Sequence, residues 1–578
     1  MDLTFPLMWI AYPFAALLCY IPCLNGPPLF DDLEVLENAA QYRFREWGYV
    51  RASYRTPVLA SYAAQRIWPG TMRSLHIGNT LIHALAAMVA AGIASALRFG
   101  DETAFMAGLL YAVHPFAANT VAFISGRASI MSTLCGLTAV WTVLTPGMAH
   151  WAILALGLSI LSKEDGIGFF PLVFLIGILQ GQTALAILLA SAGAAFLVWH
   201  RRQLMIYLRG NGDEVMASIG LPRSHPQPRH GYTVLVETLL HLPLWLVGQG
   251  LSPYHGSGVR VPSPARLALA WGIAAIAGAL LVAAPIPALI LLAGPWTVYI
   301  VCRAPDQICE YRSYASLAGM VLLIAPLVDG VWAWAAILGA AGAATAVRSS
   351  VWQSGIALWA AAARHSSGDP SRAHGELGAY FKIQGDHFRS EAALRDAIGI
   401  NPRFGPALNN LAWILWHRKV TAEAAAVRYD QEEKPGSAAW ERGRAEAFHR
   451  ESLEIMTACT VRCPDYALGW QDLGKLYDGS NRYDEANACY QKSLTLEPRM
   501  VHAVNRLGLA AFYEKRFDEA ASSFERALQL QPGHFEFVYN RAVAWKHRGD
   551  AGGAKQEFLR LPQPCPITGN MIRLEFAQ

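Results

Sequence analysis

The 578-residue sequence is short of charge: Asp, Glu, Lys and Arg make up 16% of it, against about 25% in an ordinary soluble chain. The charges nearly cancel, and a formal net charge of +4 is too small to argue for nucleic-acid binding. The nine cysteines include no Cys-x-x-Cys pair, which removes the common zinc and dithiol motifs. Cys459 and Cys463 share the spacing of one helical face, so a disulfide between them is one expectation. No glycine-rich loop that cradles nucleotide phosphates is visible. The opening apolar segment, Leu3 to Leu24, lacks the basic start of a signal peptide, and Pro27-Pro28 follows it. It reads as a retained first span.

The few charges are also unevenly placed. Of the 90 acidic and basic side chains, 55 lie beyond residue 350. The preceding 350 residues carry long Leu, Ala, Val, Ile and Trp runs, and the mean hydropathy of the whole chain is positive. This predicts an all-α chain in two parts: a polytopic helical membrane domain over 1–350 and a soluble domain over 351–578. Apolar segments expected to span, or nearly so, run at 3–24, 74–97, 104–124, 129–145, 149–162, 166–180, 183–200, 265–284, 286–302, 313–328 and 330–347. A twelfth segment, 232–250, is interrupted by Glu237, His241 and Pro243 and reads as partly embedded or interfacial.

The last third carries a repeat. Pro464, Pro498 and Pro532 are 34 residues apart, and so are the pairs Leu473-Gly474 and Leu507-Gly508. Tyr483-Asp484-Glu485-Ala486 and Phe517-Asp518-Glu519-Ala520 share the offset. A 34-residue period with Leu-Gly in one helix and an Ala-rich second helix is the tetratricopeptide (TPR) signature. A degenerate unit is expected over 375–402, and the charged stretch 421–450 reads as an inserted helix. Such arrays form concave surfaces for extended peptides or partner proteins, the plainer alternative being a spacer.

Chemistry-bearing residues gather at the ends of the apolar segments. Asp31 and Asp32 follow the first span, where charge is disfavoured. A general base for an acceptor hydroxyl, a divalent-cation ligand and a helix N-cap are all open readings. Lys163, Glu164 and Asp165 sit between two apolar segments, as functional groups or as a self-satisfied ion pair. His114-Pro115 with Ser125-Gly126-Arg127, and Glu310, Arg312 and Tyr314, form two further polar turns.

These pieces, in this order, resemble the TMTC family of transmembrane, TPR-containing O-mannosyltransferases and its bacterial relatives in the GT-C superfamily. The resemblance runs through Phe30-Asp31-Asp32 with Asn38, Ser53-Tyr54-Arg55 with Pro57-Val58-Leu59, and His76-Ile77-Gly78-Asn79 with His83. It continues through His114-Pro115, Ser125-Gly126-Arg127, Ser162-Lys163-Glu164, Glu310-Tyr311-Arg312-Ser313-Tyr314, and Arg348 with Trp352 and Trp359. Two departures stand out: Asn119 replaces a usual acid, and Thr56 is an extra residue before Pro57.

The resemblance implies a GT-C fold of about eleven spans with its first external loop at 25–73. It implies a lipid-bilayer enzyme that moves a sugar, with inversion, from a polyprenyl-phosphate donor to a protein Ser or Thr. Asp31 is the implied base, with Asp32 orienting the site or helping bind a divalent cation (Mg or Mn), for which His114 is a further ligand candidate. Arg55, Arg127, Lys163 and Arg312 are the implied partners of the donor phosphate; His114, Glu164, Glu310 and Tyr314 support them. Eleven spans place Asp31 and the TPR array on one face, which implies a bacterial inner-membrane protein with both in the periplasm. Two other functions fit the same residues: a non-catalytic TPR scaffold of an envelope or secretion assembly, and a GT-C enzyme that modifies a lipid or glycan or transfers an oligosaccharide.

Overall fold

The computed structural model describes residues 4–29, 56–65, 72–182, 188, 314–365, 370–559 and 561. Among them every regular element is a helix. The chain divides into two compact units, which part between Ala373 and His374.

In the first unit α1 (Thr4–Tyr20) is followed by α2 (Thr56–Gln65), α3 (Met72–Ala96), α4 (Asp101–Val113) and the short α5 (Ala118–Ala122). Next come α6 (Arg127–Leu144), α7 (Trp151–Ser162), α8 (Phe170–Leu179), α9 (Leu317–Ile324), α10 (Val331–Ser350) and α11 (Gly355–His365). Helices α3, α4, α6 and α10 surround one interior, with α1 against α3, α4 and α10, and α7 against α6. The distribution of side chains is inverted relative to a soluble protein. His76, Asn79, Thr80, His83, His114, Asn119, Arg127 and Lys163 are buried, whereas Ile10, Phe14, Leu18 and Ile21 form an exposed stripe along α1 and beyond its end. Trp151, Leu154, Leu158 and Leu161 do the same on α7. Outward apolar stripes around a polar interior are compatible with a membrane protein.

Four stretches are long and apolar enough to cross a bilayer: Met72–Ala96, Asp101–Ala122, Arg127–Leu144 and Val331–Gln353. Four shorter apolar ones, Trp9–Cys23, Trp151–Ser162, Gly166–Leu179 and Tyr314–Leu327, accompany them. The expected eleven spans are therefore not reached among the described residues. A 12-residue helix such as α7 is about 18 Å long, short of a hydrocarbon core of about 30 Å. The segments at 183–200 (apart from residue 188), 232–250, 265–284 and 286–302 lie outside the described residues. The expected span at 104–124 corresponds to the Asp101–Ala122 stretch; within it Pro115 drives His114 into extended backbone (φ −73°, ψ 129°), so α4 ends there and a short turn precedes α5.

The second unit is a stack of helical hairpins: α12 (Ser371–Ile383) with α13 (His387–Ile400), α14 (Gly405–Gln431) with α15 (Pro435–Arg462), and α16 (Ala467–Asp478) with α17 (Tyr483–Leu496). Then follow α18 (Val501–Tyr513) with α19 (Phe517–Leu530), and α20 (Phe535–Arg548) with α21 (Ala551–Leu559). One contact recurs inside the hairpins. A side chain at Gly378 meets Leu394, one at Gly474 meets the Tyr490 ring, and one at Gly508 meets the Phe524 ring, all within 2.7 Å of an added Cβ. The interval is 16 residues each time, so a bare backbone in the first helix seats a large side chain of the second.

The charged stretch 421–450 is not a separate inserted helix. It is shared between α14 and α15, which have 27 and 28 residues, while α18 and α19 have 13 and 14. Helix-favouring Ala, Glu and Arg carry α14 onward until the Glu432-Glu433-Lys434-Pro435 turn stops it. Cys459 and Cys463 are free thiols rather than a disulfide; their Sγ atoms donate to the carbonyls of Gly405 and Arg403 at 3.6 and 3.0 Å.

Candidate functional site

The polar interior of the first unit is organised by α3. Residues 76, 79, 80 and 83 fall on one face of this otherwise apolar helix, and all four are buried. Asn79 Nδ2 donates to the carbonyls of Phe123 (2.9 Å) and Ile124 (3.1 Å), in the turn between α5 and α6. Its Oδ1 accepts from Arg127 Nε at 2.7 Å. The Arg127 guanidinium also donates to the Leu75 carbonyl at 2.9 Å and lies 4.1 Å from the centre of the Tyr62 ring. Tyr62 in turn donates to the Ile124 carbonyl at 2.6 Å. The Ser125-Gly126 turn is thus clamped by α2, α3 and α6 together.

Lys163 follows α7 in extended backbone and is buried. Its Nζ donates to Ser129 Oγ at 2.9 Å, two residues beyond Arg127 along α6. His114 caps the turn at 115–117, its Nδ1 accepting from the Phe116 amide at 3.2 Å. On the same turn Arg348 Nε donates to the Pro115 carbonyl (3.2 Å), and just beyond it, on α5, Asn119 Oδ1 accepts from Trp352 Nε1 (3.1 Å). Asn119 therefore supplies an acceptor oxygen to an indole, a role a carboxylate oxygen can also fill. Tyr314 closes the interior from the short turn Tyr314–Ser316 that leads into α9. Its hydroxyl is 2.6 Å from His83 Nδ1, and His83 Nε2 is 3.1 Å from the Ala112 carbonyl. A carbonyl only accepts, so Nε2 carries the proton and the Tyr314 hydroxyl donates to Nδ1.

Of the residues expected from sequence, the structure brings Arg127, Lys163, His114 and Tyr314 into this interior, with Arg348 and Trp352. Arg127 differs from a phosphate-binding expectation in that its guanidinium is committed to Asn79, Leu75 and Tyr62 behind the turn. Glu164 opens the turn Glu164–Phe169. Asp31, Asp32, Arg55, Glu310 and Arg312 lie outside the described residues. No group of three His, Cys, Asp or Glu side chains with metal-binding geometry occurs among the described residues. They do not by themselves furnish a divalent-cation site, and His114 Nδ1 is already an acceptor. Asn79 and Ser129 are the organising residues that the sequence did not single out as a site. The signal for Asn79 was present, as a His76, Asn79, His83 stripe inside an apolar run.

Comparison with known proteins gives two kinds of likeness. A tetratricopeptide-repeat profile matches residues 472–534 and 506–566. The Caenorhabditis elegans protein named Protein O-mannosyl-transferase F38B6.6 is 26% identical over 185 residues, which cover 28% of this chain and 27% of that relative. The matched stretch is thus about a quarter of the relative's length. Among solved structures, MamA is 16% identical over 32% of this chain and 91% of its own, with a TM-score of 0.24. YrrB, described as a TPR protein with an unusual peptide-binding site, is 14% identical over 33% and 84%, also at 0.24. Pseudomonas aeruginosa PilF is 17% identical over 36% and 96%, at 0.23.

Proposed function

We propose that the protein is a membrane glycosyltransferase of the TMTC-like, GT-C kind. It moves a sugar from a polyprenyl-phosphate carrier to a Ser or Thr hydroxyl of a protein, on the non-cytoplasmic side of a bacterial inner membrane. The observation that carries the reading is the likeness to a protein O-mannosyl-transferase, supported by the first unit's apolar exterior and buried Lys163 and Arg127. Asp31 takes the proton from the acceptor hydroxyl as its oxygen attacks the anomeric carbon. The attack comes from the side opposite the phosphate, the carbon–oxygen bond to the carrier breaks, and the configuration inverts. Arg55, Lys163 and Arg312 balance the charge of the departing polyprenyl phosphate. Arg127 acts one layer behind them, fixing the Ser125-Gly126 turn through Asn79. Asp32 orients the site; no step is routed through a cation. The TPR array holds the acceptor polypeptide.

The Asp31→Asn variant tests this. It is expected to insert normally and to leave acceptor proteins at their unglycosylated mass, by intact-mass comparison of cells with and without the gene. Full glycosylation by that variant overturns the reading. A second reading, a TPR scaffold without catalysis, draws on the repeats being the part matched by a family profile. Under it, Asp31→Asn is silent, while deleting 371–578 abolishes all function.

A further inference from the structure

Arg127 and the Lys163–Ser129 bond mark one end of α6. The other end of this 18-residue helix, about 27 Å away, carries a different feature. There the C-terminal ends of α3, α6 and α8 come together around an open cleft of about 290 Å³. Leu97, Leu144, Ile176 and Leu179 give it an apolar lining, and Arg98 and Gln180 are its polar members. Helices α3 and α6 are both long and apolar enough to cross a bilayer, and both stop here. A cleft at their ends lies where hydrocarbon gives way to headgroups.

Arg98 follows α3 in left-handed backbone (φ 64°), a position at which helices favour glycine. Its amide donates to the Ser95 carbonyl at 2.9 Å, and the Phe99 amide donates to the Ala94 carbonyl at 3.0 Å, which closes the turn. The side chain is exposed, and its guanidinium has neither a hydrogen-bond acceptor nor a carboxylate among the described residues. The nearest acids along the chain, Asp101 and Glu102, occupy the first turn of α4, where they complement the helix N-terminus. Gln180 Oε1 accepts from Gln182 Nε2 at 3.2 Å, which leaves the Gln180 amide hydrogens for another acceptor. The apolar lining opens outward: Leu175, Ile178 and Leu179 are exposed on α8. The cleft is thus continuous with an apolar exterior suited to lipid.

We propose that this cleft clasps a phospholipid of the bilayer. Its phosphodiester takes the Arg98 guanidinium and the Gln180 amide, and one acyl chain lies over Leu97, Leu144 and Leu179. A free anion would leave the apolar lining uncovered, and a hydrocarbon alone would leave the guanidinium without a counter-charge. A phospholipid answers both at one boundary. At about 290 Å³ the space falls below the roughly 300–1,000 Å³ of pockets that enclose a whole ligand, so the second chain stays in the bilayer. The length of α6 separates this cleft from Lys163 and from the proposed donor phosphate. The inference rests on the first unit lying in a bilayer, not on the transferase reading.

Native mass spectrometry of the full chain in detergent, titrated with phosphatidylglycerol and with a diacylglycerol carrying the same chains, tests the cleft. One phosphatidylglycerol is expected to bind at least about tenfold tighter than the diacylglycerol. Arg98→Gly removes the cation while suiting the left-handed backbone. It is expected to bring the two lipids within about twofold of each other, with a melting temperature in lipid-free detergent no lower than that of the wild type. Leu179→Asn, on an exposed position, is expected to weaken both lipids. Arg73→Gln, at the opposite end of α3, keeps the wild-type ratio. Equal affinity for the two lipids, a tenfold ratio that survives in Arg98→Gly, or displacement by inorganic phosphate as readily as by added phospholipid overturns the proposal. So does a ladder of equally weak lipid additions with none held tighter, the sign of a lipid annulus only. The readout is binding, so glycosylation by Asp31→Asn bears on the transferase reading alone.

Discussion

Asn79 ties α3 to α6 and to the turn before it through one amide, donating to the carbonyls of Phe123 and Ile124 and accepting from Arg127. Replacing it by Asp keeps the Arg127 contact but turns an oxygen toward two carbonyl oxygens. Each lost amide-to-carbonyl bond costs about 0.5–1.5 kcal/mol, and each buried carbonyl left unpaired about 1–3 kcal/mol more. Asn79→Asp and Arg127→Lys are both expected to lower the melting temperature in detergent, whereas Arg73→Lys, on an exposed residue of α3, is neutral. The sequence made Arg127 conspicuous as a cation beside a membrane, but its role depends on which acceptor reaches it. That acceptor comes from 48 residues earlier, a distance no local spacing encodes. In the repeats, burial together with the Lys475 and Arg506 charges pushes His502 down to about 4, against the opposing pull of Asp472. The unfolded histidine, near 6.5, binds a proton more readily than the folded one. The stability it confers is complete above pH 6.5 and falls as pH drops toward 4. Hydrogen exchange of α18 amides in the full chain is expected to accelerate across that window, and less so in His502→Gln.

The hairpins show their period in backbone conformation as well as in sequence. Asn481, Lys515 and Gly549 stand 34 residues apart just beyond a first helix, all with left-handed φ (59°, 64° and 104°). Glycine adopts that conformation freely and asparagine tolerates it, whereas for lysine it costs about 1 kcal/mol. Lys515→Gly is expected to stabilise the array by about that amount in a denaturation series. Gly508→Leu, by contrast, drives a side chain into the Phe524 ring, and overpacking of this sort costs about 1–3 kcal/mol. These elements were legible because proline, Leu-Gly and the acidic first turns of α17 and α19 repeat at one interval. The long hairpin was misread because a charged, apolar-poor stretch looks the same whether it forms a new helix or lengthens two existing ones.

At the scale of the whole molecule, the two units follow opposite rules for what faces outward. In the first, Ile10, Phe14 and Leu18 are exposed, a face suited to lipid rather than water. Phe14→Glu is expected to reduce the carbonate-resistant membrane fraction, since a carboxylate within the hydrocarbon costs about 2.5–3.5 kcal/mol on insertion scales; Phe388→Glu, on an exposed position of the repeats, leaves it unchanged. Composition made this division readable without any structure, since charge alone separates the halves. The helix pairing inside the first unit was not readable, because apart from the polar stripe of α3 its helices are apolar nearly all round and do not mark which neighbour they face.

The long hairpin has a further consequence in angular terms. Fourteen residues turn an α-helix through 1400°, within about 40° of four whole revolutions. Each arm can therefore gain or lose that increment while the face that meets its neighbours keeps its orientation. Seven residues leave an error of only about 20°, but five rotate the remaining arm by about 140°. A resizing of the two arms by seven residues each should leave the array intact and change only its reach. A five-residue excision should turn Trp413, Val420 and Val427, exposed at intervals of seven along α14, out of line with one another.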